Sequence, residues 1–163
     1  MDYHKAFSKL HDQERQALLG GAERRTFETG EFVLIQKQPQ EAVWVVAKGE
    51  VRVVRELRVR ATYVAEQGQE ARLKSRDKGN PTTMVELARL GEGEIFGEMS
   101  FVDHTPASAS VIAAARSELL RIDGTAIYRL MREDPTFASR FYHSLAVILS
   151  QRLRTTSGKI LHG

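Results

Sequence analysis

The sequence has no cysteine. That excludes a disulfide framework, cysteine-ligated zinc and thiol catalysis, and it is the usage expected of a cytoplasmic protein. No apolar run approaches the ~18 residues of a membrane-spanning helix. Met1-Asp2-Tyr3-His4-Lys5 leads into no apolar stretch, so no secretory signal is visible. There are four prolines in 163 residues, and no low-complexity segment or internal repeat. What is present is of globular type: 42% hydrophobic and 28% charged residues, in a length expected to form one domain, 1–163.

The net charge of +3 is local. Between Arg55 and Lys78 stand seven basic residues (Arg55, Arg58, Arg60, Arg72, Lys74, Arg76, Lys78) and four acidic ones (Glu56, Glu66, Glu70, Asp77), so the rest of the chain balances at 17 against 17. Such a segment can attract phosphates or an acidic partner. The acids interrupt the run, and Tyr63 is its one aromatic for base stacking, which favours a solvated ribbon or loop.

Residues 1–25 read as helical, with Phe7, Leu10, Ala17 and Leu18 near helical spacing, Asp12 as a start and Gly20-Gly21 as a stop. A strand rhythm occupies 26–122. Phe32 and Leu34 face one way, Val33 and Ile35 the other; Val43-Trp44-Val45-Val46 is a short apolar run, and Val51, Val53 and Val54 follow the turn at Gly49. Leu57 to Val64 alternates, while Gly68 to Thr83 is polar and broken at Gly79-Asn80-Pro81, so about 55–83 reads as an insertion. Met84–Leu90, Ser108–Ala113 and Glu118–Ile122 complete the strands. Short strands at this spacing imply a mainly β barrel or jelly roll with flanking helices. Helices return over 123–155. Asp123 caps one, and Asp134-Pro135 opens the next, with aspartate as N-cap and proline in the first turn. Its stripe is Phe137, Phe141, Leu145, Ile148, Leu149 and Leu153, which can pack on the chain's own barrel or pair with a second copy.

The segment from Ile95 to Val111 concentrates unusual features. Gly97 lets the backbone approach a ligand, and a turn of helix after it would aim amides at an anion. Glu98 is an acceptor suited to a sugar hydroxyl, and Thr105, Ser108 and Ser110 add small hydroxyls. The plainer reading is a barrel with a tight Gly-Glu turn.

These residues stand in a recognisable order. Phe27…Gly30-Glu31…Leu34-Ile35, Lys48-Gly49-Glu50-Val51, Phe96-Gly97-Glu98-Met99-Ser100-Phe101, Ala109-Ser110-Val111, Glu118–Ile122 and Asp134-Pro135 follow one another across residues 7–154. In this the chain resembles the cyclic nucleotide-binding domain of the catabolite-activator and protein-kinase regulatory type. The resemblance implies an eight-stranded jelly roll with a phosphate-binding cassette that opens at Phe96-Gly97-Glu98-Met99-Ser100. It implies that Glu98 binds the ribose 2′-hydroxyl, that Gly97 and nearby amides, including those of Met99 and Ser100, surround ribose and cyclic phosphate, and that Ser108 contacts phosphate.

Three positions depart from that pattern. Ala107 stands where the family has an arginine for the cyclic phosphate. Losing a charge-assisted contact removes about 1.5–3 kcal/mol, roughly one to two decades of affinity. Lys37 stands where the family commonly has a glycine, and the insertion at 55–83 replaces a short loop.

Three classes follow. One is a regulatory, signalling ligand sensor for a cyclic nucleotide or cyclic dinucleotide, working through a protein partner. Another is a degenerate interaction or dimerisation module, forming a homodimer through the last helix. The third, an enzyme, is disfavoured: His4, His11, His104, His143 and His162 form no cupin-like metal set, and no catalytic triad or HExxH pattern is visible. No cofactor or metal is implied, nor a membrane. Only ten residues follow Leu153, too few for a helix-turn-helix, so sequence-specific DNA reading by that device is not expected.

The alternation at Leu57, Val59, Ala61 and Tyr63 followed by Gly68, Gly79 and Pro81 predicts an extended hairpin with a mobile tip. Limited proteolysis is expected to cut first between Gln67 and Asn80; protection of every Arg and Lys bond there would refute the mobile tip.

Overall fold

The structure, a computed structural model, describes residues 6–58 and 82–160. Helix α1 (Asp12–Gly20) is followed by β1 (Glu23–Phe27), β2 (Phe32–Leu34), β3 (Val43–Lys48), β4 (Val51–Arg58), β5 (Thr82–Leu90) and β6 (Ile95–Phe96). Helix α2 (Glu98–Asp103), β7 (Ser110–Ala113), β8 (Ser117–Ile122), α3 (Gly124–Glu133) and α4 (Pro135–Ile160) complete the order. The strands form two antiparallel four-stranded sheets, β1-β8-β3-β6 and β2-β7-β4-β5. This is an eight-stranded jelly roll with flanking helices.

Strand β3 explains how the layers stack. Successive strand residues point to opposite faces. Burial divides accordingly: Trp44 and Val46 join Val51, Leu90, Phe96, Val111 and Leu119 between the sheets. Val43, Val45 and Ala47 face the other way and join Phe7, Leu18, Phe101, Ile127, Phe137, Phe141 and Leu145 from the helical side. A strand covered on both faces reads as a continuous apolar run.

The helical side is tied by polar contacts as well. Arg140 on α4 holds Glu14 on α1 through Nε at 3.0 Å and through a second guanidinium nitrogen, Phe7 stacks on Phe141 at 5.6 Å, and the Lys9 amide donates to Ser144 Oγ at 3.0 Å. The first half of α4 is thus fixed by α1, α3 and the core. Phe137, Phe141 and Leu145 are buried, Ile148 and Leu149 half-buried, and Leu153 is 68% exposed. The stripe therefore packs on its own roll at one end and leaves it at the other.

Three expectations need correction. Helix does not fill 1–25: α1 stops at Gly20, and Glu23–Arg25 pair with Leu119–Arg121 as the edge strand β1. These polar, exposed residues carry no apolar alternation, and only the partner strand makes them a strand. The facing of Phe32 with Leu34 fails too, because the register shifts between them; Val33 and Leu34 are both half-buried while Phe32 and Ile35 are exposed. Strand β7 begins at Ser110 rather than Ser108. The hairpin base is present, with Arg58 opposite Thr82; its expected tip lies outside the described residues.

Three carboxylates of the helical part are held below the ordinary carboxylate range. The causes are the Arg140 hydrogen bonds for Glu14, the Thr125 amide for Asp123 at the α3 N-cap, and the Thr136 hydroxyl for Asp134 before α4. A carboxylate lowered on folding contributes stability that is complete above its unfolded pKa and is lost as pH falls through the folded one. Below about pH 4, α1, α3 and α4 are expected to lose hydrogen-exchange protection before β3 and β8. Asp123→Ala is expected to cost about 1 kcal/mol at neutral pH; equal acid loss in helices and strands would contradict this order.

Candidate functional site

The site begins where β6 ends. Pairing of Trp44 with Phe96 sets β6 beside β3, and the two rings stack at 6.0 Å. The chain then turns through Gly97 at φ 80°, the N-cap of α2. A Cβ at Gly97 would lie 2.8 Å from the Ala42 carbonyl oxygen and 3.0 Å from Gln40 Nε2. Only glycine fits both that backbone and that space. Gln40 Nε2 also donates to the Gly97 carbonyl at 2.7 Å.

Helix α2 turns Glu98, Ser100 and Phe101 inward. Phe101 anchors it, stacking on Tyr128 at 4.9 Å and meeting Phe141 edge-on at 5.7 Å. The helix ends at His104, with φ 57°, and Asp103 accepts from the Thr105 amide and hydroxyl. The chain is next gripped at Ala107, whose amide donates to Gln38 O at 3.0 Å and whose carbonyl accepts from the Lys37 amide at 2.7 Å. Lys37 has φ 69°, so the turn keeps a left-handed backbone although its residue is not glycine. Segment 36–40 therefore holds both ends of the cassette.

Between these ends lies a pocket of about 170 Å³. Gly97, Glu98, Met99, Ser100, Ala107 and Ser108 all line it, so the structure brings the six sequence-derived residues together. Thr105 and Ser110 are elsewhere: Thr105 serves the Asp103 turn, and Ser110 Oγ accepts from the Gln36 amide at 2.9 Å. Leu34, Val53, Leu90, Phe96 and Val111 supply apolar walls.

Two lining residues escaped the sequence reading, Gln40 and Arg152. Arg152 arrives from α4 and donates to Glu98 Oε1 at 2.6 Å and to the Ile95 carbonyl. The Glu98 side chain is 3% exposed and that of Arg152 33%. A carboxylate this buried needs a cation and hydrogen bonds, so the signal existed: Glu98 beside Phe101 demanded a partner. Nothing singled out Arg152 among 24 basic residues. Arg72 and Lys74 of the basic segment lie outside the described residues.

A jelly roll whose Gly-Glu turn opens a short helix over a small pocket, closed by a C-terminal helix, defines a class of small-ligand receptor. The family pattern described as "Cyclic nucleotide-binding domain" matches residues 24–134, and the chain belongs to that family. It is 33% identical over 148 residues to the cyclic AMP receptor protein of Thermus thermophilus, covering 91% of this chain and 56% of that protein. The chain thus spans little more than half of that relative's length. The crystal structure of the catabolite activator protein of the same organism aligns with TM-score 0.67 and 29% identity, over 96% of this chain and 61% of that one. A cyclic nucleotide-binding domain from Methylobacillus flagellatus aligns with TM-score 0.74 over 98% of this chain and 82% of that one; at 20% identity this likeness is one of fold.

Gly97→Ala forces a left-handed backbone on alanine and a Cβ against the Ala42 carbonyl. The expected cost is about 1–3 kcal/mol, read by denaturant unfolding, with chemical shifts displaced around Glu98 and Ala42. A variant as stable as the natural chain would contradict the close approach.

Proposed function

We propose that this chain is a regulatory ligand-sensing module of the cyclic nucleotide-binding type, whose pocket is read out by α4 and whose output passes through protein–protein contacts. The observation that carries the reading is the Glu98–Arg152 ion pair at 2.6 Å. It joins the residue in position to accept a ribose hydroxyl to the helix that leaves the roll. In this reading Gly97, Met99 and Ser100 offer backbone to the ribose and cyclic phosphate, and Ser108 offers its hydroxyl to the phosphate. The pocket, at about 170 Å³, is below the ~300 Å³ floor usual for small-molecule sites. Ligand insertion must then displace something, and Arg152 with the second half of α4 is the partly exposed wall. The size favours a cyclic mononucleotide over a cyclic dinucleotide.

The cassette is divergent, because Ala107 offers no cation to a phosphate. Weak or no binding of ordinary cyclic mononucleotides is therefore expected from the natural chain, with binding strengthened by roughly one to two decades in Ala107→Arg. Calorimetry on the two proteins decides it. Tight cyclic AMP or cyclic GMP binding by the natural chain would overturn the inference from Ala107.

A second reading is a degenerate module that no longer binds nucleotide and works by dimerisation. The apolar residues of α4 that leave the roll, Leu149 half-buried and Leu153 exposed, favour it. No binding by either protein, with Ala107→Arg folded, would select it. In both readings α4 is expected to join a homodimer, seen by sedimentation. Leu149→Glu is expected to weaken that dimer without unfolding the roll, and a strict monomer at high concentration would argue against it.

A further inference from the structure

We infer that Gln40 makes this pocket a receptor for a neutral, ribose-bearing ligand, a nucleoside rather than a cyclic nucleotide, by presenting an acceptor in want of a donor. The inference rests on the reading of the pocket as a ribose site and narrows what that site takes.

Two buried side-chain polar atoms have no partner among the described residues, Gln40 Oε1 and Trp44 Nε1. Such orphans are rare in folded proteins and costly. Gln40 is also a lining residue of the pocket. Its amide cannot be reversed, because Nε2 donates to the Gly97 carbonyl at 2.7 Å and exchange would set two oxygens against each other. The unpaired atom is therefore an acceptor.

The remaining lining gives an anion nothing in exchange. Its charged members among the described residues, Glu98 and Arg152, pair with each other, so the wall is neutral in sum. Ala107, gripped by the same 36–40 segment that carries Gln40, brings no cation. A cyclic phosphate at neutral pH has acceptors only. It would leave Gln40 Oε1 unpaired and lose its own hydration. In a nucleoside the two oxygens that a cyclic phosphate ties up are free hydroxyls, and a hydroxyl both donates and accepts. One such group can serve Oε1 while a cassette amide serves its oxygen, and a site built to bond a hydroxyl rejects an analogue that lacks it. Size points the same way, since a nucleoside is smaller than its cyclic phosphate and the cavity is about 170 Å³.

The plain alternative pairs the two orphans with each other. A Cβ at Gly97 would lie 3.0 Å from Gln40 Nε2 and 3.3 Å from Trp44 Cδ1, so a buried water could join Trp44 Nε1 to Gln40 Oε1. Gln40 would then govern stability and the indole N–H signal of the single tryptophan, and the ligand preference would be indifferent to it.

The two roles separate when each nucleoside is compared with its own cyclic phosphate. Adenosine with cyclic AMP, and guanosine with cyclic GMP, are titrated by NMR up to millimolar concentration into the natural chain, Gln40→Met and Gln40→Lys. The natural chain is expected to hold at least one nucleoside about tenfold more tightly than its cyclic phosphate, the scale of one buried unpaired acceptor. Gln40→Met removes the acceptor at nearly constant size. Gln40→Lys keeps a donor for the Gly97 carbonyl and adds a positive charge. In both variants that nucleoside is expected to weaken about tenfold while its cyclic phosphate does not, and in Gln40→Lys the cyclic phosphate is expected to strengthen. Either variant decides alone if the other fails to fold, because the deciding reading is the loss of the nucleoside.

A cyclic nucleotide held by the natural chain as tightly as its nucleoside, or more so, would overturn the inference while leaving the pocket a nucleotide-type site. So would a nucleoside affinity that a folded variant retains, or equal loss of both ligands. No response of the natural chain to any of these ligands would overturn the pocket reading and the inference with it.

Discussion

A glutamate removed from water is tolerable only beside a cation, and this constraint organises the ligand side of the molecule. Glu98 sits inside the cassette because Gly97 turns the chain inward and Phe101 pins the following helix to the aromatic cluster of α3 and α4. Once there it requires Arg152, and Arg152 in turn holds α4 across the end of β6 through the Ile95 carbonyl. Removing Arg152 leaves the buried Glu98 carboxylate uncompensated, which costs far more than an exposed pair contributes. One ion pair therefore links pocket and helix.

The rest of the cassette is restrained differently. Gln40 holds its start, Lys37 and Gln38 hold its end, and Gln36 bonds both the amide and the carbonyl of Glu56 on β4. These are bonds to backbone, made by a segment without regular structure. They bind α2 to the roll at both flanks, so the cassette wall is the stiffer side of the pocket and α4 the more yielding one.

Much of the fold was legible because apolar pattern and turn chemistry agree. Val43 to Val46 read as a short apolar strand, Asp134-Pro135 read as the opening of a helix, and Gly97-Glu98 stood out from the other Gly-Glu pairs of the chain through the resemblance carried by the whole stretch around it. The illegible parts share a cause: they are decided by partners distant in sequence. Glu23–Arg25 form a strand only because β8 lies alongside, and the bulge at Phe32–Leu34 is set by β7. Arg152 stands 54 residues from Glu98, with nothing local to mark it. Gln40 resembles any loop glutamine until its amide is seen on the Gly97 carbonyl. The left-handed backbone at Lys37 was hidden for the opposite reason, since its residue type does not announce the conformation it adopts.

Helix α4 is 26 residues long, or about 39 Å at 1.5 Å per residue. Its aromatic first half is embedded, with Leu145 the last fully covered residue of the stripe. From there to Ile160 runs an arm of about 22 Å that Arg152 steadies near its middle. An arm of that length magnifies angle into displacement: a tilt of about 10° at the embedded end would carry the far end roughly 4 Å. A tilt of that size moves the far end by about half the ~8–10 Å spacing of packed helices, enough to take ridges out of the grooves through which one helical surface engages another.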